Sequence, residues 1–171
     1  MKIYIDAGAF NGDTADCEAL FKFKADKKIA FEANSELVPY VKNKDFDEVY
    51  DKAVWIEDGE VTFYQDQSKR PLGSTMMSSK RTGILKPIKA RAIDFSEYIK
   101  QFKDDDVLIK MDCEGAEFPI LEKMIKDGTI TIPSAMYVEF HPNKVPEYTT
   151  TYKDELVARI RKLNVKIEEW H

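Results

Sequence analysis

Short apolar runs alternate along this chain with amphipathic stretches of helical length, the pattern of an α/β domain with a mostly parallel sheet. Runs rich in β-branched and aromatic residues mark strands at Lys2 to Asp6, Lys28 to Glu32, Val49 to Trp55, Val107 to Asp112 and Ala135 to His141, and most of them end on a polar or ionisable residue. Helices are expected between them. Asp13 or Thr14 caps one that turns Leu20, Phe21 and Phe23 inward, and Ser35 caps another over Glu36 to Lys44, with Pro39 still near its first turn. Gly115 and Ala116 open a helix carrying Ile120, Leu121, Met124 and Ile125, which stops near Gly128. Thr151 with Asp154 starts the last helix, with Leu156, Val157, Ile160 and Leu163 on its apolar side, and Val165 to Trp170 reads as a final strand. Glu57-Asp58-Gly59-Glu60 is a turn signal predicting a hairpin of Ala53 to Ile56 with Val61 to Tyr64.

Composition narrows the class. At 171 residues, 43% hydrophobic and 33% charged, the chain suits one folded domain over 1–171 and leaves no room for a separate substrate domain. Its 26 basic and 31 acidic residues, a net charge of -5, argue against a general electrostatic grip on nucleic acid or an anionic membrane. Cys17 and Cys113 form no close-spaced pair, which fits a reduced, cytoplasmic chain. No secretory leader is expected, because Asp6 follows the first strand at once, and the longest uncharged run, Gly128 to Val138, holds a proline and is about half a membrane span. One segment departs from the average: residues 67–93 carry Lys69, Arg70, Lys80, Arg81, Lys86, Lys89 and Arg91 with no acid, and read as a long basic loop. It contains no aromatic residue for base stacking, so no nucleic acid partner is expected.

The candidate chemistry begins at the first loop. Strand one runs directly into Asp6-Ala7-Gly8-Ala9-Phe10-Asn11-Gly12-Asp13-Thr14, where the glycines let backbone amides approach a ligand at a helix start. Glu32 closes the second strand 20 residues after Gly12, the place where doubly wound folds put an acid against a ribose. The glycines are four apart and lack the close-approach glycine of a dinucleotide site, and the phosphate-loop lysine is missing. An acid at the loop start repels phosphate and suits an ammonium or sulfonium, which favours S-adenosyl-L-methionine over NAD or ATP.

These segments resemble the FkbM-type family of S-adenosylmethionine-dependent methyltransferases. The resemblance rests on Tyr4 to Thr14, Phe31 to Asn34, Lys52 to Gly59, Gly73 to Thr75, Arg91 to Phe95, Leu108 to Leu121 and Tyr137 to His141, in the family's order. It implies a single-domain, doubly wound, Rossmann-like class I methyltransferase fold and methyl transfer, usually to a hydroxyl oxygen. On matching positions it implies cofactor binding by Asp6, Gly8 and Gly12 at the methionine part, with Ala9, Phe10, Asp13 and Thr14 in the same loop. Glu32 would hold the ribose, flanked by Ala33 and Asn34, with Ala53 at the adenine edge and Asp112 beside the transferring methyl. Ala33 stands where the family usually has proline, and the chain starts on its first strand and ends after one apparent strand, so a fold shortened at both termini is expected.

Methyl transfer requires an acceptor oxygen to be aligned and its proton removed. His141 is the expected general base, Asp112 and Glu114 are alternatives, and Glu139 orients the imidazole. Ser74 and Thr75, with Glu139 and His141, are the expected acceptor-binding residues. The four strand-end groups also meet the requirements of an oxygen-rich Mg²⁺ or Ca²⁺ site, but such acids are common without a metal, and no metal is expected. Acids flanking Cys113 disfavour its thiolate. The acceptor is expected to be a small hydroxylated, sugar-like molecule held by the basic loop, the strand ends or the second subunit of a homodimer. Two other readings stand beside this one: a catalytically inactive cofactor-binding module acting through its basic loop, and an NAD-linked Rossmann enzyme, against which the missing glycine counts.

Overall fold

The computed structural model describes residues 1–67, 74–80 and 85–170. The strands are β1 (Lys2–Ala7), β2 (Lys27–Glu32), β3 (Glu48–Asp51), β4 (Ala53–Trp55), β5 (Gly59–Asp66), β6 (Leu85–Asp94), β7 (Asp106–Met111), β8 (Ala135–Val138) and β9 (Lys166–Glu169). The helices are α1 (Cys17–Phe21), α2 (Val38–Lys42), α3 (Phe95–Ile99), α4 (Glu117–Asp127) and α5 (Thr150–Lys162). Six strands form one sheet in the order β3-β2-β1-β7-β8-β9, every pairing parallel. Helices cover both faces, as a parallel sheet requires. Ile3, Ile5 and Ala7 of β1 join a core with Ile99, Leu121 and Leu156 from α3, α4 and α5, while Tyr4 faces Phe21 of α1 on the other side. The fold is the single-domain, Rossmann-like α/β class that the pattern predicts. At its last edge β9 adds parallel to β8, so the described sheet ends without an antiparallel hairpin.

Several local expectations are corrected. Val49 to Trp55 is two strands: β3 extends the large sheet, the chain breaks at Lys52, and β4 enters a second sheet of order β4-β6-β5. The hairpin between Ala53–Ile56 and Val61–Tyr64 does not form, because β6 lies between its two arms, parallel to β4 and antiparallel to β5. The turn signal fixes a reversal of direction and says nothing of which strand fills the gap. The last third of the expected basic loop is therefore a strand. Along β6 Lys86, Lys89 and Arg91 are exposed, whereas Ile88, Ala90 and Ala92 turn inward, the alternation of a half-buried strand. Residues 68–73 and 81–84, which include Lys69, Arg70, Gly73 and Arg81, lie outside the described residues.

Capping residues also shift. Asp16, not Asp13 or Thr14, caps α1, and Leu20 is exposed; Asp13–Ala15 is a separate 3-10 turn. Ser35 caps nothing: the Asn34 side chain accepts from the Glu36 amide at 3.1 Å, and α2 begins only at Val38. Thr149 rather than Thr151 caps α5, accepting from the Tyr152 amide at 3.1 Å. Leu163 is exposed rather than packed. Asp94 caps α3, a helix the apolar pattern does not announce. The expected helix after Gly115-Ala116 is α4, and Gly128 ends it in the left-handed conformation.

Candidate active site

The carboxyl ends of β1, β2 and β7 open onto one cleft of about 250 Å³, close to the lower end of the range of small-molecule sites. Gly8, Phe10, Glu32, Ala33, Ala53, Ser74, Asp112, Glu114 and Glu139 all line it, so residues from across the chain meet as the sequence reading expects. Phe31, Lys52, Val54, Phe63, Met76 and Cys113 complete the wall. The break between β3 and β4 is what delivers Lys52, Ala53 and Val54 to this cleft.

Gly8 sits where the β1 loop presses on the end of β7. Its φ is +86°, and a Cβ there would lie 2.0 Å from the Asp112 carbonyl oxygen, so no other residue fits. Its amide donates to the Phe31 carbonyl at 3.0 Å, and Ala9 donates to the same oxygen at 2.9 Å. Phe10, at φ 52°, donates its amide to Glu32 Oε2 at 2.7 Å, and the Asn34 amide donates to Glu32 Oε1 at 2.7 Å. Glu32 is thus held by one backbone donor on each oxygen while facing the cleft. Burial pushes its carboxyl up to about 7, against the two amide hydrogen bonds that favour the carboxylate.

Other expected cofactor residues stand elsewhere. Asp6 is fully buried and off the cleft wall: across the β1–β7 register it faces Lys110, whose Nζ is 3.2 Å away, and it accepts from the Thr14 hydroxyl. Lys110 Nζ also donates to the Gly8 carbonyl at 3.0 Å. The Asp6–Lys110 pair therefore braces the glycine loop from beneath. Gly12 and Asp13 lie on the outer side of the loop, where Asp13 pairs with Lys44 at 2.9 Å in solvent. A Cβ at Gly12 would lie 2.7 Å from Cγ of the Lys44 side chain and 3.3 Å from the Val41 Cα. Ala9 and Asn34 are buried and support the wall rather than form it.

The second half of the site is the turn after β7. Glu114, at φ 51°, precedes Gly115 at φ 108°, and Thr75 Oγ1 donates to the Glu114 carbonyl at 2.8 Å. Thr75 is fully buried and holds this turn, so of the four expected acceptor contacts Ser74 and Glu139 line the cleft and Thr75 and His141 do not. Of the basic segment's described lysines, Lys80 is buried against Glu114 at 2.7 Å, and Lys89 pairs with Glu60 at 2.9 Å.

His141 does not line the cleft. It is 4% exposed and lies behind Asp112, Glu114 and Glu139. Glu117, in the first turn of α4 and completely buried, accepts from the His141 amide at 2.7 Å and the Gly115 amide at 2.7 Å, and its Oε1 is 3.2 Å from His141 Nδ1. Burial alone works against the imidazolium, but the hydrogen bond to Glu117 and the charges of Glu117, Glu114 and Asp112 outweigh it and raise the pKa. Burial lifts Asp112 to about 6 against the nearby Lys110 ammonium. It also holds the Cys113 thiol well above its ordinary range, with Glu117 and Asp112 adding to the effect. Glu117 and Lys110 are the site residues that sequence reasoning passes over. Both belong to the run from Lys110 to Glu117, but nothing in that run tells that their side chains turn inward.

A parallel sheet wound on both sides, with a glycine-loop cleft at the strand ends and an acid on the second strand, defines a Rossmann-like α/β fold. The model of the methyltransferase FkbM domain matches residues 6–166. The chain belongs to this family and is a methyltransferase. No curated protein and no solved structure matches it. Among the described residues no helix is long and apolar enough to cross a membrane.

Proposed function

We propose that the protein moves a methyl group from S-adenosyl-L-methionine to a hydroxyl oxygen of a small, sugar-like acceptor. The observation that carries this reading is Glu32: a buried carboxylate on the cleft wall, oriented by the Phe10 and Asn34 amides, each of its oxygens keeping a lone pair for a ribose hydroxyl. Bound S-adenosyl-L-methionine supplies an electrophilic methyl group on a sulfonium. Phe31, Phe63, Ala53 and Val54 provide an apolar wall suited to an adenine ring. Asp112, Glu114 and Glu139 face the same cleft from the other side, and Ser74 adds a hydroxyl for the acceptor. Asp112 is the base of this proposal. Burial lifts its carboxyl to about 6, so on the cleft wall it is ionised near neutral pH and able to take the acceptor's hydroxyl proton. His141, behind it, is a positioning residue.

Calorimetry with S-adenosylhomocysteine tests the reading, and the absence of heat at high micromolar ligand overturns it. Glu32→Ala is expected to weaken that binding by about 1–3 kcal/mol, roughly fivefold to 150-fold, by removing a charged acceptor. The affinity should also depend on pH. Ribose hydroxyls donate to an ionised carboxylate, so binding expels the proton that free Glu32 holds below about 7. Affinity then rises with pH up to about 7 and levels off above it, and a series of titrations shows whether Glu32→Gln flattens that rise.

A further inference from the structure

One oxygen of each central carboxylate is turned toward a lysine: Glu114 Oε2 is 2.7 Å from Lys80 Nζ and 3.4 Å from Lys144 Nζ, and Asp112 Oδ2 is 3.8 Å from Lys110 Nζ. The other oxygens converge on a single atom. His141 Nε2 is 3.5 Å from Glu114 Oε1, 3.5 Å from Glu139 Oε1 and 3.8 Å from Asp112 Oδ1. The imidazole side chain is 3% exposed, and Nε2 has no hydrogen-bond partner among the described residues. We propose that Nε2 of His141 and the facing oxygens of Asp112, Glu114 and Glu139 are the ligands of a divalent metal cation, of the Mn²⁺ type, at the edge of the cleft.

The orientation of the ring supports this. Glu117 Oε1 lies 3.2 Å from Nδ1, so in the neutral imidazole Nδ1–H donates to that carboxylate and the Nε2 lone pair faces three further oxygens. A buried lone pair facing carboxylates is costly, and a cation between them reverses the sign of every contact. A carboxylate that fixes a histidine through its other nitrogen is the usual support of a metal-binding imidazole.

The spacing supports it as well. Ligand atoms of Asp112, Glu114 and His141 all lie within 4.8 Å of one another, and the 3.5–3.8 Å gaps to Nε2 are long for hydrogen bonds. A cation about 2.0–2.2 Å from each ligand sets its ligand atoms roughly 3–4 Å apart. Carboxylates alone suit Mg²⁺ or Ca²⁺, and the imidazole moves the preference to a first-row transition ion. Because three of the ligands also line the cleft, coordination positions remain open toward it. An acceptor hydroxyl bound there would lose its proton more readily. That role rests on the methyl-transfer reading, whereas metal binding itself does not.

The test is a Mn²⁺ titration of chelator-stripped protein, with free Mn²⁺ read by its electron paramagnetic resonance signal. Saturable uptake of one equivalent is expected below about 1 mM, the weak end of oxygen-rich sites. His141→Gln and Glu139→Gln should each weaken it at least tenfold. Glu139 is a third exposed, so its variant is expected to fold even where His141→Gln does not, and thermal denaturation confirms this. No uptake at about 1 mM overturns the proposal, as does undiminished uptake by folded Glu139→Gln. S-adenosylhomocysteine binding is measured on the same metal-free protein. Its persistence without Mn²⁺ uptake overturns the metal site alone, and Mn²⁺ uptake without it overturns the methyl-donor reading alone.

Discussion

Gly8→Ala is expected to lose about 2–5 kcal/mol of stability and with it measurable binding of S-adenosylhomocysteine. Two effects add. A side chain at φ +86° is strained by about 1–2 kcal/mol. The new methyl would also stand 2.0 Å from the Asp112 carbonyl oxygen, which belongs to the backbone leaving β7 and cannot swing aside, and relieving such an overlap costs about 1–3 kcal/mol. The only movement open to the loop carries Gly8 away from β7. That displaces the Phe10 amide from Glu32 and the Gly8 carbonyl from Lys110, so the damage reaches the ribose site directly. Gly12→Ala is the control. Its φ of +77° carries the same strain, but the one contact under 3 Å is with Cγ of the Lys44 side chain and the Val41 Cα stands at 3.3 Å, so the loss should stay near the strain of about 1–2 kcal/mol, with binding retained. Urea denaturation of the two variants decides: equal losses would mean that the contact with β7 is not what requires glycine.

Glu117→Ala is expected to lose about 3–5 kcal/mol, as large an effect from a residue that never touches the cleft. The carboxylate is completely buried and accepts from two amides, those of Gly115 and His141, which belong to the two loops carrying the acidic half of the site. Its removal leaves both amides without partners, at about 1–3 kcal/mol each, and frees Nδ1 of His141. Glu117→Gln keeps one oxygen and presents an N–H to the other donor, so roughly half the loss should remain. Denaturation midpoints for the three proteins check this order. A Glu117→Ala variant as stable as the parent would mean that water replaces the carboxylate.

The contrast between Glu32 and Glu117 shows how far the site was legible. Glu32 ends an apolar strand at a fixed distance from a glycine loop, and both marks are local in the chain, so its place on the cleft follows from spacing. Glu117 carries no such mark. It lies at a helix start, where an acid is ordinarily stabilised by the helix dipole and solvated. Only the return of the chain after β8 brings the His141 amide to it. Asp6 errs in the opposite direction: its position at the loop start suggested a ligand contact, but alternation along β1 turns it to the face where Lys110 pairs with it across strands.

Periodicity and local chemistry determined the alternation of strands and helices, the two-sided burial of the parallel sheet, the Gly8 turn and the Glu32 strand end, because each depends on residues within a few positions of one another. Tertiary structure alone decided what depends on partners far along the chain. The insertion of β6 between β4 and β5 turned a third of a basic loop into a strand, Lys80 went inward to Glu114, and His141 settled behind the carboxylates rather than among the groups that face the cleft. The physical reason is common to all three. A charged side chain on a short, polar segment is free to meet water or a buried opposite charge, and the choice is made by whichever element packs against it, not by its neighbours in sequence.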